Sequence, residues 1–202
     1  METPVTTLRT ALPALLLAAG LACAPDLRVD HPFDGAGGLD AGPLVSASVL
    51  DGGLTVLHVD ATSKTDRTYV DLDQGREMKL EEALASNGWD LAFQRVTIWS
   101  NGGATNPAGV VLVAAVKGDF EALTRAPAAG FLADGLTPVL NDAQGGWYTY
   151  TLSSHGVNPT PGLLYVVKSS AGAYFKLQVL EYYDSAGTAA VYTLQYAPLA
   201  PP

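Results

Sequence analysis

The strongest constraint on the fold is a series of short apolar or alternating segments, which Gly, Asn, Asp and Pro interrupt at close intervals from Leu44 onward. β-branched and aromatic residues are common in these segments, and this composition and length are typical of β-strands. We therefore predict a single all-β domain of antiparallel strands over residues 44–202, with Ser170–Gly172 as a hairpin turn. The predicted strands are Val45–Val49, Leu54–Asp60, Arg67–Asp73, Trp89–Trp99, Val110–Val116, Trp147–Leu152, Leu163–Ser169, Ala173–Tyr183 and Ala190–Ala197.

Two segments depart from the strand pattern. Arg76–Ser86 has apolar residues nearer to helical than to strand spacing, which predicts a short helix or an irregular crossover near residues 76–86. Lys117–Gln144 is rich in Gly and Pro and is predicted to be one long loop, with at most a helical turn near Asp119–Leu123.

Two of the predicted strands carry further information. In Trp89–Trp99 the apolar residues change parity part-way, which predicts a β-bulge at Gln94 and Arg95 or a strand covered on both faces. Val110–Val116 is apolar at every position, so both of its faces should be buried, against a second sheet or a bound ligand.

The charge balance excludes one class of partner. The chain has 20 acidic and 11 basic residues and a formal net charge of -9. Nucleic-acid binding depends on clusters of Lys and Arg that neutralise phosphates, so nucleic acid is not an expected partner. An acidic protein surface also gives no electrostatic attraction to anionic lipid headgroups.

The N-terminus has the pattern of an export signal. Ala11–Ala22 is an apolar run of signal-peptide length, followed by Cys23, the single cysteine. Small residues before this cysteine predict a lipoprotein-type signal peptide over residues 1–22 and a lipid anchor on Cys23, with ordinary secretory cleavage near Ala22 or Ala24 as the alternative. Residues 23–43 are rich in Gly and Asp and predict a flexible tether. A single cysteine also excludes an intramolecular disulfide.

Three separated blocks resemble one known family: WDLAFQRVTIWSNGG (Trp89–Gly103), GWYTY (Gly146–Tyr150) and LYVVKSSAGAYFKLQVLEYYD (Leu164–Asp184). Their order is similar to that in the HmuY family of bacterial surface haem-binding lipoproteins, and the resemblance covers roughly residues 44–197. It implies a right-hand-like all-β domain in the cell envelope, as an outer-membrane lipoprotein that is surface-exposed or released. It also implies binding of haem or a related tetrapyrrole for iron acquisition, with delivery to an outer-membrane haem transporter.

The resemblance also implies two axial ligands to the haem iron, usually histidines and in some relatives methionines. His155 lies about where the more C-terminal ligand would fall, and a structural turn histidine is the alternative. The other ligand is expected within Leu123–Ala133, a segment with no His, Met or Cys. Tyr148, Tyr150 and Tyr165 are candidate pocket aromatics, and a tyrosine could ligate only as a phenolate, whose usual pKa is about 10.

The remaining candidates have structural interpretations. His31 falls in the tether, His58 is expected on a solvent-facing strand position, and Met78 is expected in the core. Arg95, Lys168 and Lys176 could pair with haem propionates, but a solvated strand face is the favoured interpretation. The acidic residues of Asp71–Gly75 lack the spacing of a calcium loop and fit a strand end and turn.

No catalytic motif is present. The chain has no His-Glu-x-x-His, no Gly-x-Ser-x-Gly and no P-loop. Ser153 and Ser154 are adjacent to His155 in sequence only, and a catalytic triad requires spatial geometry with a third group. We therefore expect a non-catalytic protein, with a structural or protein-interaction lipoprotein that lacks a haem site as the alternative to haem binding.

Overall fold

The structure, a computed structural model, describes residues 43–202. The predicted signal peptide, Cys23, His31 and all of the predicted tether except residue 43 lie outside the described residues. Twelve strands are formed: β1 Val45–Val49, β2 Thr55–Asp60, β3 Thr68–Asp71, β4 Arg76–Met78, β5 Leu91–Gln94, β6 Thr97–Ser100, β7 Leu112–Lys117, β8 Tyr148–Thr151, β9 Gly156–Pro159, β10 Leu163–Lys168, β11 Tyr174–Tyr183 and β12 Ala189–Pro198.

The strands form three antiparallel sheets. The large sheet has the order β1-β2-β12-β11-β10-β7, the small sheet has the order β4-β3-β5-β6, and β8 and β9 form a separate hairpin. One short α-helix, α1 (Val139–Asp142), and three 3₁₀ turns, Asp51–Gly53, Ala83–Ala85 and Ala143–Gly145, complete the described residues. The prediction of an all-β antiparallel domain is confirmed.

The main core lies where the two larger sheets meet. Along β2 the side chains alternate, with Leu57 and Val59 buried and His58 half-buried, as a sheet with one core-facing side requires. Leu57 and Val59 belong to the same apolar cluster as Leu91 and Phe93 of the small sheet. Each such buried side chain contributes about 1.5–3 kcal/mol.

The parity change in Trp89–Trp99 has a different origin from the predicted one. The segment is not a single bulged strand, because β5 and β6 form a hairpin in which Gln94 pairs with Thr97. The chain reverses over Arg95 and Val96, and Arg95 has a φ of 53°. A turn restarts the alternation in the next strand, so apolar residues on opposite parities reach the same core.

No α-helix forms over residues 76–86. Arg76–Met78 is strand β4, which pairs with β3 through Tyr69↔Met78, and the only helical feature is the 3₁₀ turn Ala83–Ala85. Ladder hydrogen bonds to a neighbouring strand outweigh the weak helical propensity of a short segment. Of the apolar residues at helical spacing, Ala83 is buried and Leu84 is exposed.

The second face of β7 is covered by the long loop. Val113 belongs to the main core, whereas the next residue, Ala114, belongs to a second cluster with Ala126, against which Leu123 and Phe131 pack. The two-sided burial predicted for Val110–Val116 therefore holds at Val113 and Ala114, where the loop covers one face, whereas Leu112, Ala115 and Val116 are half-buried. Val110 is an exception, because it precedes the strand and is exposed.

Lys176 contributes to the attachment of the loop. It is buried on β11, and its Nζ donates a hydrogen bond of 2.6 Å to the Phe120 carbonyl and lies 4.3 Å from the Phe120 ring centroid. Neither of the roles considered from the sequence, a solvated strand face or a propionate partner, describes this side chain.

Within residues 43–202, no helix is both long and apolar enough to cross a membrane.

Candidate functional site

The candidate site lies at the tip of the hairpin formed by β8 and β9. The last pair of its ladder is Thr151↔Gly156, so a four-residue loop, Leu152–His155, closes the turn. His155 has a φ of 52°, a left-handed conformation in which His is one of the more tolerated non-glycine residues. Strand β9 was not predicted from the sequence, because Gly156–Pro159 has the composition of a turn.

The base of the hairpin is fixed to the domain. Val157 is buried in the main core, and its backbone N–H donates to the Tyr183 hydroxyl at 3.0 Å. The Thr160 N–H donates to the Trp147 carbonyl at 2.8 Å, and the Trp147 ring is itself buried. The exposed tip therefore extends from a hairpin that is attached to the main core.

The fold brings two of the predicted site residues together at this tip. The Tyr150 hydroxyl and His155 Nδ1 lie 2.8 Å apart, and both side chains are exposed. With Nδ1 engaged, Nε2 is the ring nitrogen left to meet a ligand. Leu152, in the same turn, is 78% exposed, and Tyr150 is 51% exposed.

The Nε2 of His155 is a donor of the kind that would hold a haem iron. Imidazole nitrogen is a common iron ligand, and one proximal histidine suffices to hold haem in several protein classes. The exposed apolar surface of Leu152 and the Tyr150 ring suits the face of a macrocycle. His155, Tyr150 and Leu152 are the residues of the hairpin tip that would hold the group.

The other two candidate tyrosines are placed differently. Tyr165 is 1% exposed and donates a hydrogen bond of 2.8 Å to the Leu140 carbonyl, and burial raises the pKa of its phenol. It is a core residue that no ligand can reach in this arrangement. Tyr148 is half-buried, with its ring 4.7 Å from that of Trp147.

The segment expected to carry a second ligand lies away from the hairpin. Leu123 and Phe131 pack against the cluster that contains Ala114, and Val157 of the hairpin belongs to the main cluster that contains Val113. Successive residues of a strand point to opposite faces of a sheet. The loop and the hairpin therefore cover opposite faces of the large sheet.

The other candidate ligands of the described region are in structural positions. His58 is half-buried on β2, with its Nδ1 3.2 Å from the Thr193 hydroxyl, and is less exposed than the sequence predicted. Met78 is half-buried at the end of β4, opposite Tyr69. Neither lies in the Leu152–His155 turn.

A concavity of about 240 Å³ lies elsewhere on the domain, between the β1–β2 connection and the β3–β4 turn. Its walls include Thr55, Gln74 and Tyr196, and none of the predicted site residues. It is smaller than the roughly 300–1,000 Å³ typical of small-molecule pockets. His155 lies on the exposed β8–β9 turn and does not line this concavity.

An acidic cluster close to the concavity has a structural explanation. The carboxylates of Asp71, Asp73 and Asp90 offer oxygens within 4.8 Å of one another. Asp71 accepts a hydrogen bond from the Gln74 N–H at 3.0 Å, which closes the β3–β4 turn. This agrees with the strand end and turn predicted for Asp71–Gly75.

Asp90 connects distant parts of the chain. It is buried, and its two oxygens accept hydrogen bonds of 2.7 Å from the backbone N–H groups of Leu72 and Ser170. Burial raises the pKa of this carboxyl above its ordinary value of 3.8, against the opposing effect of the two hydrogen bonds. The residue thus fixes the β10–β11 turn to the end of β3.

The raised pKa of Asp90 gives a pH-dependent prediction. The folded state binds the proton more tightly than the unfolded chain, so Asp90 adds stability as the pH falls through its folded pKa toward 3.8. We expect Asp90→Asn to lower the free energy of unfolding by about 1–3 kcal/mol at every pH, because one backbone donor loses its acceptor. The variant should therefore unfold at a lower urea concentration than wild type. The difference between wild type and variant should widen between pH 7 and pH 4.5. A difference that narrows on acidification would contradict this assignment.

Trp89–Gly103, the first of the three blocks that resemble the HmuY family, forms part of the small sheet and not a ligand site. The Trp89 indole is fully buried and donates to the Ala83 carbonyl at 2.7 Å, and the Asn101 side chain donates to the Trp89 carbonyl at 2.7 Å. Gly103 has a φ of 60°, and a Cβ there would lie 2.2 Å from the Asp134 carbonyl oxygen. The block specifies packing and turn geometry.

Comparison with known proteins identifies the same fold. The family model described as HmuY protein matches residues 63–196. The structure is similar to that of an apo HmuY analog from Tannerella forsythia, with 16% identity over 77% of this chain and 96% of that chain and a TM-score of 0.56. It is also similar to apo PinO from Porphyromonas gingivitis, with 13% identity over 72% of this chain and 97% of that chain and a TM-score of 0.54. No curated protein matches the chain. Because the family model spans most of the described domain, the chain belongs to the HmuY family.

Proposed function

We propose that this protein is a non-catalytic surface lipoprotein that binds haem, or a related tetrapyrrole, for iron acquisition. The observation that carries the proposal is an exposed imidazole, His155, whose Nδ1 is already engaged 2.8 Å from the Tyr150 hydroxyl. Nε2 is thereby left for a ligand, on a hairpin that is attached to the main core. Membership of the HmuY family supports the same class of ligand.

His155 is the proposed axial ligand of the haem iron. Bound haem would supply an iron with an open coordination position, and this chain would supply the imidazole together with the exposed apolar surface of Tyr150 and Leu152. Tyr148 and Tyr165 support the hairpin and the core and are not assigned contact with the macrocycle. The described residues bring no second His or Met to the hairpin turn.

The remaining features of the proposal concern the cell envelope. Residues 1–22 act as a lipoprotein-type signal peptide, and acylated Cys23 anchors the protein to the outer membrane, at the surface or before release. Several acyl chains hold a protein on a membrane stably where one does not. Residues 23–43 are the tether between the anchor and the domain, and an outer-membrane haem transporter is the proposed recipient of the haem.

The direct test is a haemin titration of the purified protein followed in the Soret region. We expect saturable binding with a shifted Soret band, and a roughly 100-fold loss of affinity in His155→Ala, since loss of outer-shell partners alone costs about 10–100-fold. His58→Ala, which removes the other histidine of the described residues, is the matched control and should bind as wild type does. Binding that is indifferent to His155 would move the iron ligand elsewhere. A spectrum no different from that of haemin with an unrelated acidic protein would favour the alternative, a HmuY-like fold that serves as a structural or protein-interaction lipoprotein.

A further inference from the structure

We propose that Tyr150 is a positioning residue, whose hydroxyl holds Nδ1 of His155 and thereby sets the orientation of the ring so that Nε2 faces a ligand. The inference rests on the proposed function and concerns the Tyr150 hydroxyl, which acts on the iron only through His155, whereas the ring is the part proposed to face the macrocycle. It concerns a contact that sequence spacing did not indicate, since Tyr150 was predicted as a pocket aromatic.

The contact is a hydrogen bond and not a stacking interaction. The Tyr150 hydroxyl and His155 Nδ1 are 2.8 Å apart, whereas the ring centroids are 6.3 Å apart with an interplanar angle of 53°. Tyr150 pairs with Val157 in the ladder, which places its side chain beside the turn that carries His155. The polar ends of the two side chains therefore meet while their rings stay apart.

The tautomer follows from the chemistry of the ring. A neutral imidazole carries one proton, and a nitrogen that binds iron must be the unprotonated one. If Nε2 binds, the proton resides on Nδ1, and Nδ1–H donates to the Tyr150 oxygen. A partner on the second nitrogen that fixes orientation and raises ligand basicity is a general feature of metal-binding histidines.

The need for such a partner follows from the exposure of the turn. His155 is exposed in a loop of four residues, so nothing in the core limits the rotation of its ring. A free ring would lose rotational freedom on binding, and a ring already held by Tyr150 loses less. Val157, the ladder partner of Tyr150, is held in the main core and donates to the Tyr183 hydroxyl without the Tyr150 hydroxyl, so removal of that hydroxyl should leave the fold intact.

The test compares Tyr150→Phe with Tyr148→Phe, a matched removal of a tyrosine hydroxyl two residues away on the same strand. In the haem-free protein, ¹⁵N NMR of His155 should show a hydrogen-bonded Nδ1 in wild type and in Tyr148→Phe. In Tyr150→Phe, the ring should show the nitrogen shifts of a freely solvated histidine. With haemin, Tyr150→Phe should keep an imidazole-ligated spectrum but bind about 10–100-fold more weakly, and Tyr148→Phe should bind as wild type does.

Three results would overturn the inference. Wild-type affinity and wild-type ¹⁵N shifts in Tyr150→Phe would show that the hydroxyl positions nothing. An iron-ligand spectrum that is lost in Tyr150→Phe and retained in His155→Ala would make Tyr150 the ligand itself. If the wild-type protein fails to bind haemin, the proposed function fails and removes this inference with it. The two failures are distinguishable: in the first, the wild-type protein does not bind haemin, and in the second, wild type and Tyr150→Phe bind it equally well.

Discussion

Replacement of Asp134 by alanine is expected to lower the free energy of unfolding by about 3–5 kcal/mol, because it leaves several buried donors without acceptors at once. Asp134 is 3% exposed. Its carboxylate accepts hydrogen bonds from the Ser100 N–H at 2.8 Å, the Ser100 hydroxyl at 2.8 Å and the Val139 N–H at 3.0 Å. A further bond of 2.9 Å comes from the Thr105 hydroxyl. This one side chain thus connects the long loop, the end of β6 and the start of α1.

Urea unfolding of Asp134→Ala beside Asp142→Ala checks the prediction. Asp142 is an exposed acid at the end of α1, so its removal makes the same change of charge without uncovering buried donors. Its effect should stay within about 0.5 kcal/mol of wild type. Equal effects of the two substitutions would show that the loss of charge, and not the buried hydrogen bonds, governs stability at this position.

The second large effect is expected for Trp89→Ala, at about 3–5 kcal/mol of lost stability. The Trp89 side chain is 0% exposed, and its ring lies edge-on to that of Tyr69 with the centroids 5.0 Å apart. Alanine leaves a cavity in the small sheet and also removes the indole N–H that donates to the Ala83 carbonyl at 2.7 Å. The 3₁₀ turn that contains Ala83 loses a connection to the sheet.

Trp99→Ala is the matched control for Trp89→Ala. Trp99 is half-buried, and its ring lies 3.9 Å from the Arg67 guanidinium carbon, so solvent can fill part of the space that alanine leaves. Its loss should cost about 1–2 kcal/mol, mainly from area burial and the cation–π contact. Thermal unfolding that ranks Trp99→Ala as the more damaging variant would contradict the placement of the two rings.

The strands could be predicted because alternation is a local property. Most predicted strands agree with the structure to within a few residues, and β1 (Val45–Val49) agrees at both ends. The failures occur where local pattern and long-range pairing conflict. Arg76–Met78 forms a strand because it pairs with β3, and Gly156–Pro159 forms a strand because it pairs with β8. Neither partner is visible within the segment itself.

The candidate site was predictable in part. Residue type and resemblance indicate both His155 and Tyr150, but the contact between them depends on the β8–β9 register, and the turn-like composition of Gly156–Pro159 does not indicate a strand there. Tyr165 was grouped with them because it is aromatic, and only the fold shows it donating to the Leu140 carbonyl inside the core. Residue type alone does not distinguish a buried phenol from an exposed one.

The sequence by itself determined the fold class, through strand alternation, and the family, through the resemblance of the blocks Trp89–Gly103, Gly146–Tyr150 and Leu164–Asp184, because both can be read along the chain. Tertiary structure alone decided that Asp90 and Asp134 act as buried connectors and that the long loop covers the outer face of the large sheet. It also decided that His155 meets Tyr150. The physical reason is that these features depend on contacts between segments far apart in the chain, such as Asp90 with Ser170, whose formation requires the whole core to assemble.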